Sequence, residues 1–254
     1  MINFPALRTK RLTVRLKELT MMDAITLASL PVHLGEETAT YFLRCAVSEV
    51  VGIEDPAQWT VQERTLAICH YMASTFDDGP NFTVGSSGAR YSDYLMGEKD
   101  YDEDEVGVGA IEDDEWTVRQ LTGAMASAIE RLQSELPGVT GRTHWQIGLM
   151  AAQMVPNGER GDGLGEGEFD AFLLERMRVI ANFPESTFVM LAERYEEARG
   201  RLEHLFRVSF DETGLIVLPR EGSAADLPPA RFPAGSCITS FARYLGGKPE
   251  ESGA

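Results

Sequence analysis

Residues 188–218 read FVMLAERYEEARGRLEHLFRVSFDETGLIVL, and the hydrophobic period changes inside that stretch. Phe188, Leu191, Ala192, Tyr195 and Ala198 recur at helical spacing and fall on one face of an α-helix. From Phe206 onward the period is two: Phe206, Val208 and Phe210 alternate with Arg207 and Ser209. Asp211–Gly214 supplies a turn and Leu215–Leu218 a second apolar run, so a helix gives way to a β-hairpin. With helical patterns dominating the rest of the chain, the fold class is α+β: mainly α-helical, with an N-terminal β-strand element and a C-terminal β-hairpin.

Working upstream, Phe169, Phe172, Leu173, Met177 and Ile180 predict an amphipathic helix that stops near Phe183-Pro184. Residues 156–167, PNGERGDGLGEG, contain five glycines and read as a linker or hinge. The expected organisation is therefore a helix-rich region over 1–155, the linker, a two-helix-plus-hairpin lobe over 168–245 and a disordered tail over 246–254. Thr117 is expected to open a helix through Val118, Leu121, Met125, Ala128, Ile129 and Leu132, ending at Pro137-Gly138. A second helix from about Thr143, with Trp145, Leu149 and Ala152, would form an antiparallel hairpin with it. Residues 36–51 read as one helix. Thr60 and Glu63 form a T-x-x-E capping box ahead of Leu66, Ala67 and Tyr71, and Thr20 stands three residues before Asp23 at the start of a shorter apolar helix. A last short helix is expected over Ile238–Leu245.

The chain has 254 residues, and its 40 acids against 23 bases give a formal charge of -17. Such a surface repels phosphate and anionic lipid, so neither nucleic acid nor membrane is expected as a partner. No apolar run reaches a membrane span, and Met1–Pro5 does not begin a signal peptide, so synthesis in the cytoplasm is expected. Charge is segregated. Arg8, Lys10, Arg11, Arg15 and Lys17 stand on a strand-like segment without acids, whereas Gly97–Glu115 carries ten acids, among them Asp100, Asp102, Glu103, Asp104 and Glu105. These two groups are the candidate interaction residues: the basic strand would dock on an acidic loop, for instance that of an adjacent copy. The plainer reading gives the bases the task of keeping a strand edge from aggregating.

Residues capable of chemistry are scattered. His33 and Glu36 share an i, i+3 spacing that suits two metal ligands, but a solvated loop before a helix explains them as well. Cys69 and His70 are adjacent, so their side chains point about 100° apart on a helix and form no thiol–imidazole pair. Asp100–Glu105 lacks the D-x-[DN]-x-[DN]-G pattern of a calcium loop. Neither glycine-rich stretch contains G-x-x-x-x-G-K-[ST], and no G-x-S-x-G elbow is present. The three cysteines, Cys45, Cys69 and Cys237, are widely spaced and read as packed thiols. No catalytic, cofactor or metal residue is assigned, and the chain is not expected to be an enzyme.

Two segments together carry a resemblance. Arg8–Thr20, RTKRLTVRLKELT, leads into the Asp23 helix, and Trp59–Ala73 reads WTVQERTLAICHYMA. A basic strand, a short helix and then a T-V-x-E-R helix is similar to small tail-assembly and baseplate-hub proteins of tailed bacteriophages, over the first third of the chain. The resemblance implies a structural component of a tail tip or baseplate, made in the bacterial host cytoplasm and carried in the virion tail. Its partners would be other tail proteins and further copies of itself, and no cofactor is implied. Two alternatives stand beside it: a tail assembly chaperone absent from the mature virion, and a metal-dependent enzyme built on His33, Glu36 and the acidic loop.

Overall fold

The computed structural model describes residues 2–111, 114–224 and 226–247. In chain order the elements are β1 (Leu7–Arg8), β2 (Thr13–Leu16), α1 (Met21–Ser29), α2 (Gly35–Ala46), β3 (Val47–Val51), α3 (Val61–Thr75), β4 (Thr83–Val84) and β5 (Ala89–Arg90). There follow β6 (Glu105–Ile111), β7 (Asp114–Arg119), α4 (Gly123–Arg131), α5 (Gly141–Gln153), β8 (Met154–Pro156), α6 (Glu166–Ala181), α7 (Glu185–Leu202), β9 (Arg207–Phe210), β10 (Leu215–Leu218) and α8 (Ser240–Leu245). The fold is α+β. Its strands form small antiparallel sheets, ordered β1-β2-β3 and β6-β7-β8, with β4-β5 and β9-β10 as two-stranded pairs.

Both expected capping boxes form. The Thr20 side chain accepts the Asp23 N–H while the Asp23 carboxylate accepts the Thr20 N–H, and Thr60 and Glu63 repeat the exchange at the start of α3. The late hairpin pairs Phe210 with Leu215 and Val208 with Val217. Two expectations are corrected. Residues 36–51 are not one helix: α2 ends at Ala46, and the β-branched run from Val47 pairs with β2, Val14 facing Val50. Thr117 does not open a helix either. Trp116 and Val118 are buried on alternating positions of β7, Val118 pairs with Val106 on one side and Met154 on the other, and α4 starts only after its cap Thr122. The helical spacing of Val118 and Leu121 coincides with a strand followed by a turn, and the two sheet partners decide the outcome.

One continuous cluster of buried side chains runs from Leu12 to Ala242 and includes Phe42, Trp59, Ile129, Met150, Met177, Tyr195 and Phe206. α4 and α5 pack closely because Gly148 lies under Ile129; a Cβ there would stand 2.7 Å from the Ile129 side chain. The glycine-rich segment before α6 is held from two sides. Arg119 donates from Nε to the Ala152 carbonyl (3.2 Å), from Nη1 to Asp162 (2.7 Å) and from Nη2 to the Arg160 carbonyl (2.8 Å). Arg176 donates from Nε to the Ala151 carbonyl (2.9 Å) and from Nη1 to the Glu159 carbonyl (3.0 Å). Within the segment Gly161 has φ +65°, and the Phe172 ring lies 2.8 Å from where a Cβ would be, so no other residue fits without a shift. Among the described residues no helix is long and apolar enough to cross a membrane. Residues 248–254, most of the expected tail, lie outside the described residues, as do Glu112 and Asp113 of the acidic stretch.

Candidate functional site

A cleft of about 630 Å³ opens between the helices α2, α3 and α4 on one side and the β9–β10 hairpin with residues 231–234 on the other. Its polar floor comes from three helices. The N-terminus of α2 has no side-chain cap of its own; its N-cap is Leu34. The Glu130 carboxylate, from α4, takes that place and accepts the Glu36 N–H (2.8 and 3.0 Å to its two oxygens) and the Glu37 N–H (3.3 Å). Arg64 enters from the first turn of α3. Its Nη2 donates to the Glu36 carbonyl (2.5 Å) and the Thr40 hydroxyl (2.9 Å), and its Nη1 lies 3.1 Å from a Glu36 carboxylate oxygen.

Burial makes this cluster sensitive. The Arg64 side chain is 2% exposed. It lies so close to α4 that a Cβ on Gly123 would stand 1.8 Å from its Nη1, so glycine at 123 is what lets the guanidinium in. Its Nε has no hydrogen-bond partner in the protein, and Nη1 meets Glu36 without an aligned hydrogen bond. Burial lowers the Arg64 guanidinium below its ordinary value, against the pull of the Glu36 and Glu130 carboxylates. Burial also raises Glu130, and the Glu36 carboxylate raises it further, while the two backbone N–H groups and Arg64 oppose the rise. Around this floor the walls are apolar, with Val61, Ile68, Leu215, Val217 and Phe232 among them. Such a site can take a ligand with an apolar body and a polar end that meets the partly exposed Glu36 carboxylate.

His33 is exposed at the rim of the same cleft, so the structure does place His33 and Glu36 along one cavity. Glu36 is engaged by Arg64, however, and among the described residues no group of three or more His, Cys, Asp or Glu side chains could hold a metal ion. His70 Nε2 lies 2.7 Å from the Pro5 carbonyl and Cys69 is buried, its thiol pushed well up by burial, so the two neighbours face different surroundings.

The charged interaction candidates lie elsewhere, and only part of them meet. The Lys10 backbone N–H donates to Asp100 (2.8 Å) and its Nζ lies 3.4 Å from Asp102, so the basic segment touches the acidic loop within one chain. Arg11 instead stacks over the Tyr101 ring at 4.2 Å and reaches the buried Glu63 at 3.2 Å. Arg15 pairs with Glu49, Glu103 with Arg201 and Glu105 with Arg160, while Asp104 accepts the Tyr101 hydroxyl. Arg8 and Lys17 are exposed.

Sequence reasoning missed Arg64, Glu130 and the hairpin wall. No local signal marked Arg64: only the structure shows that the first turn of α3 buries Val61, Gln62, Glu63 and Arg64 together, all round the helix, so that these polar residues need partners. Nothing local marks Glu130, whose partners stand 93 and 94 residues away. Compared with known protein families, with curated proteins and with solved structures, the chain matches none.

Proposed function

We propose that the chain is a structural component of a bacteriophage tail tip or baseplate and acts through contacts with other proteins. The observation that carries the reading is a group of exposed apolar side chains on two helices packed against each other. Met21 (48% exposed) and Met22 (70%) stand on α1, and Phe241 (59%), Tyr244 (73%) and Leu245 on α8. α8 lies close to α1 at its end, where a Cβ on Gly246 would stand 2.5 Å from the Ala28 side chain. Single exposed apolar residues are ordinary, but five on one helix pair suit a contact that excludes water. Burying the exposed part of each would contribute on the order of 1 kcal/mol. α1 also belongs to the segment that resembles tail-assembly and baseplate-hub proteins, so the resemblance and the apolar surface meet on the same helix.

The test is mass spectrometry of purified virions from the phage that encodes the chain, alongside a variant carrying Met22→Ser, Phe241→Ser and Tyr244→Ser. The reading expects the wild-type chain in the particle and the variant, folded by circular dichroism, excluded from it. A chain missing from finished particles would transfer the role to an assembly chaperone. A variant incorporated at the wild-type level would remove α1 and α8 as the contact.

A further inference from the structure

A second cavity, of about 510 Å³, lies between α2, the turn at 55–58, α4 and the glycine-rich segment before α6. Its charges cancel in pairs. Arg44 donates from Nε and Nη2 to Asp55 (3.0 to 3.2 Å), and Arg119 donates from Nη1 to Asp162 (2.7 Å). Arg131 donates from Nε and Nη2 to Asp170 (2.8 Å each), with Glu166 4.0 Å from its Nη1. The lining acid without an ion pair among the described residues is Glu37, which lies in the field of Arg131. The pairs leave groups unused. Nη1 of Arg44 and Nη1 of Arg131 make no hydrogen bond, and these side chains are 56% and 22% exposed. The second oxygen of Asp162 is likewise free, on a side chain 65% exposed. Ser127, only 5% exposed, lines the same cavity; its hydroxyl has no partner among the described residues and keeps some accessible surface.

This balance selects among ligands. An anion finds no guanidinium free of a carboxylate, and a cation finds only Glu37. An apolar ligand would strip water from the unused N–H and carboxylate groups and give nothing back. A neutral ligand dense in hydroxyls, each both donor and acceptor, replaces that water. Tyr41, Met125 and Phe169 add apolar surface for the carbon face of a ring. We propose that this cavity binds a neutral saccharide, its hydroxyls accepting from Arg44 and Arg131, donating to Asp162 and exchanging a hydrogen bond with Ser127. The chemistry is shared by a free sugar and by the end of a longer glycan, and about 510 Å³ admits a mono- or disaccharide. The inference stands on this cavity alone and does not depend on the assembly reading.

The full chain is titrated by calorimetry with glucose, galactose, N-acetylglucosamine, maltose, lactose and chitobiose. Cyclohexanol and inorganic phosphate serve as the apolar and the anionic probe. At least one sugar is expected to bind at millimolar concentration, at least about tenfold more tightly than either control, the gain that one or two neutral hydrogen bonds supply. A disaccharide that binds more tightly than its monosaccharide identifies a glycan chain as the source, and equal affinities identify a free sugar. Ser127→Ala, which removes the hydroxyl and keeps the helix, should weaken that binding about three- to tenfold. Ala124→Trp, which fills the cavity from α4, should abolish it while circular dichroism stays unchanged; should that variant not fold, Ser127→Ala alone decides. Phosphate or cyclohexanol binding as tightly as every sugar, wild-type affinity in either variant, or no binding of any of the six sugars overturns the proposal.

Discussion

Glu63 and Glu130 are both buried glutamates that cap the start of a helix, Glu63 from the first turn of that helix and Glu130 from the last turn of α4, and they differ in what lies beyond them. Glu63 caps its own helix, α3: it accepts the Thr60 N–H at 2.9 Å, and its other oxygen faces Arg11 at 3.2 Å. Packing closes that region. The Thr60 hydroxyl lies 3.0 Å from Nε2 of the buried His204, whose Nδ1 donates to the Leu202 carbonyl at 3.0 Å, and Tyr101 packs edge-on against the same ring. Glu130 caps a different helix, α2, and its surroundings open onto the cleft. A local cap enclosed by partners is a stability device. A cap supplied from 94 residues away and facing open space forms part of a cleft floor.

The largest expected effect breaks the closed side. Glu63→Ala strands the Thr60 N–H and the Arg11 charge inside the protein, and should cost about 3 kcal/mol in chemical denaturation. Glu130→Ala should cost less, about 1–2 kcal/mol, because water from the cleft can reach the α2 amides that lose their cap. Equal losses for the two substitutions would erase the distinction between closed and open.

The closed side also has a pH signature. Burial holds His204 neutral and pushes its pKa down to about 4 from an ordinary 6.5. The unfolded chain therefore binds the extra proton between those values, so the contribution of His204 is complete above pH 6.5 and is lost as pH falls towards 4. Relative to a His204→Gln variant, the wild type should lose on the order of 2 kcal/mol of stability between pH 7 and pH 4, read from denaturant midpoints. A gap that does not change with pH would mean that the histidine is hydrated rather than enclosed. Glu63 and Glu130 act with the opposite sign: burial raises both above the ordinary 4.5, so their protonation favours the folded state as pH falls, and the paired measurement removes that background.

The smallest effect belongs to the surface pair between the basic segment and the acidic loop. Lys10 and Asp102 side chains are 57% and 83% exposed, so Lys10→Ser should change stability by less than about 1 kcal/mol, and less again in high salt. A larger, salt-independent loss would promote that contact to the rank of the Glu63 network.

The same contrast explains what could be read from the sequence. The Thr60–Glu63 box lies within four residues and was legible, as were the α6 and α7 faces and the β9–β10 hairpin, because their signals are local periods. The strand at 114–119 was not, because Val118 and Leu121 satisfy a helical period until β6 and β8 are known to flank them. The cleft was legible only at its rim, where His33 and Glu36 are close in sequence. Its floor joins residues of α2, α3 and α4, and its far wall comes from the hairpin that begins at Arg207. The basic strand and acidic loop stand out by composition, yet only Lys10 and Arg11 reach the Asp100–Asp102 end of the loop, and Arg11 does so through the Tyr101 ring rather than a carboxylate, since geometry rather than net charge selects partners.

The most direct test of the open-and-closed distinction is amide hydrogen exchange at the two helix starts. The account predicts that the Glu36 and Glu37 amides, which border the cleft, exchange faster than the enclosed Thr60 and Glu63 amides. Equal exchange at the two helix starts would contradict it.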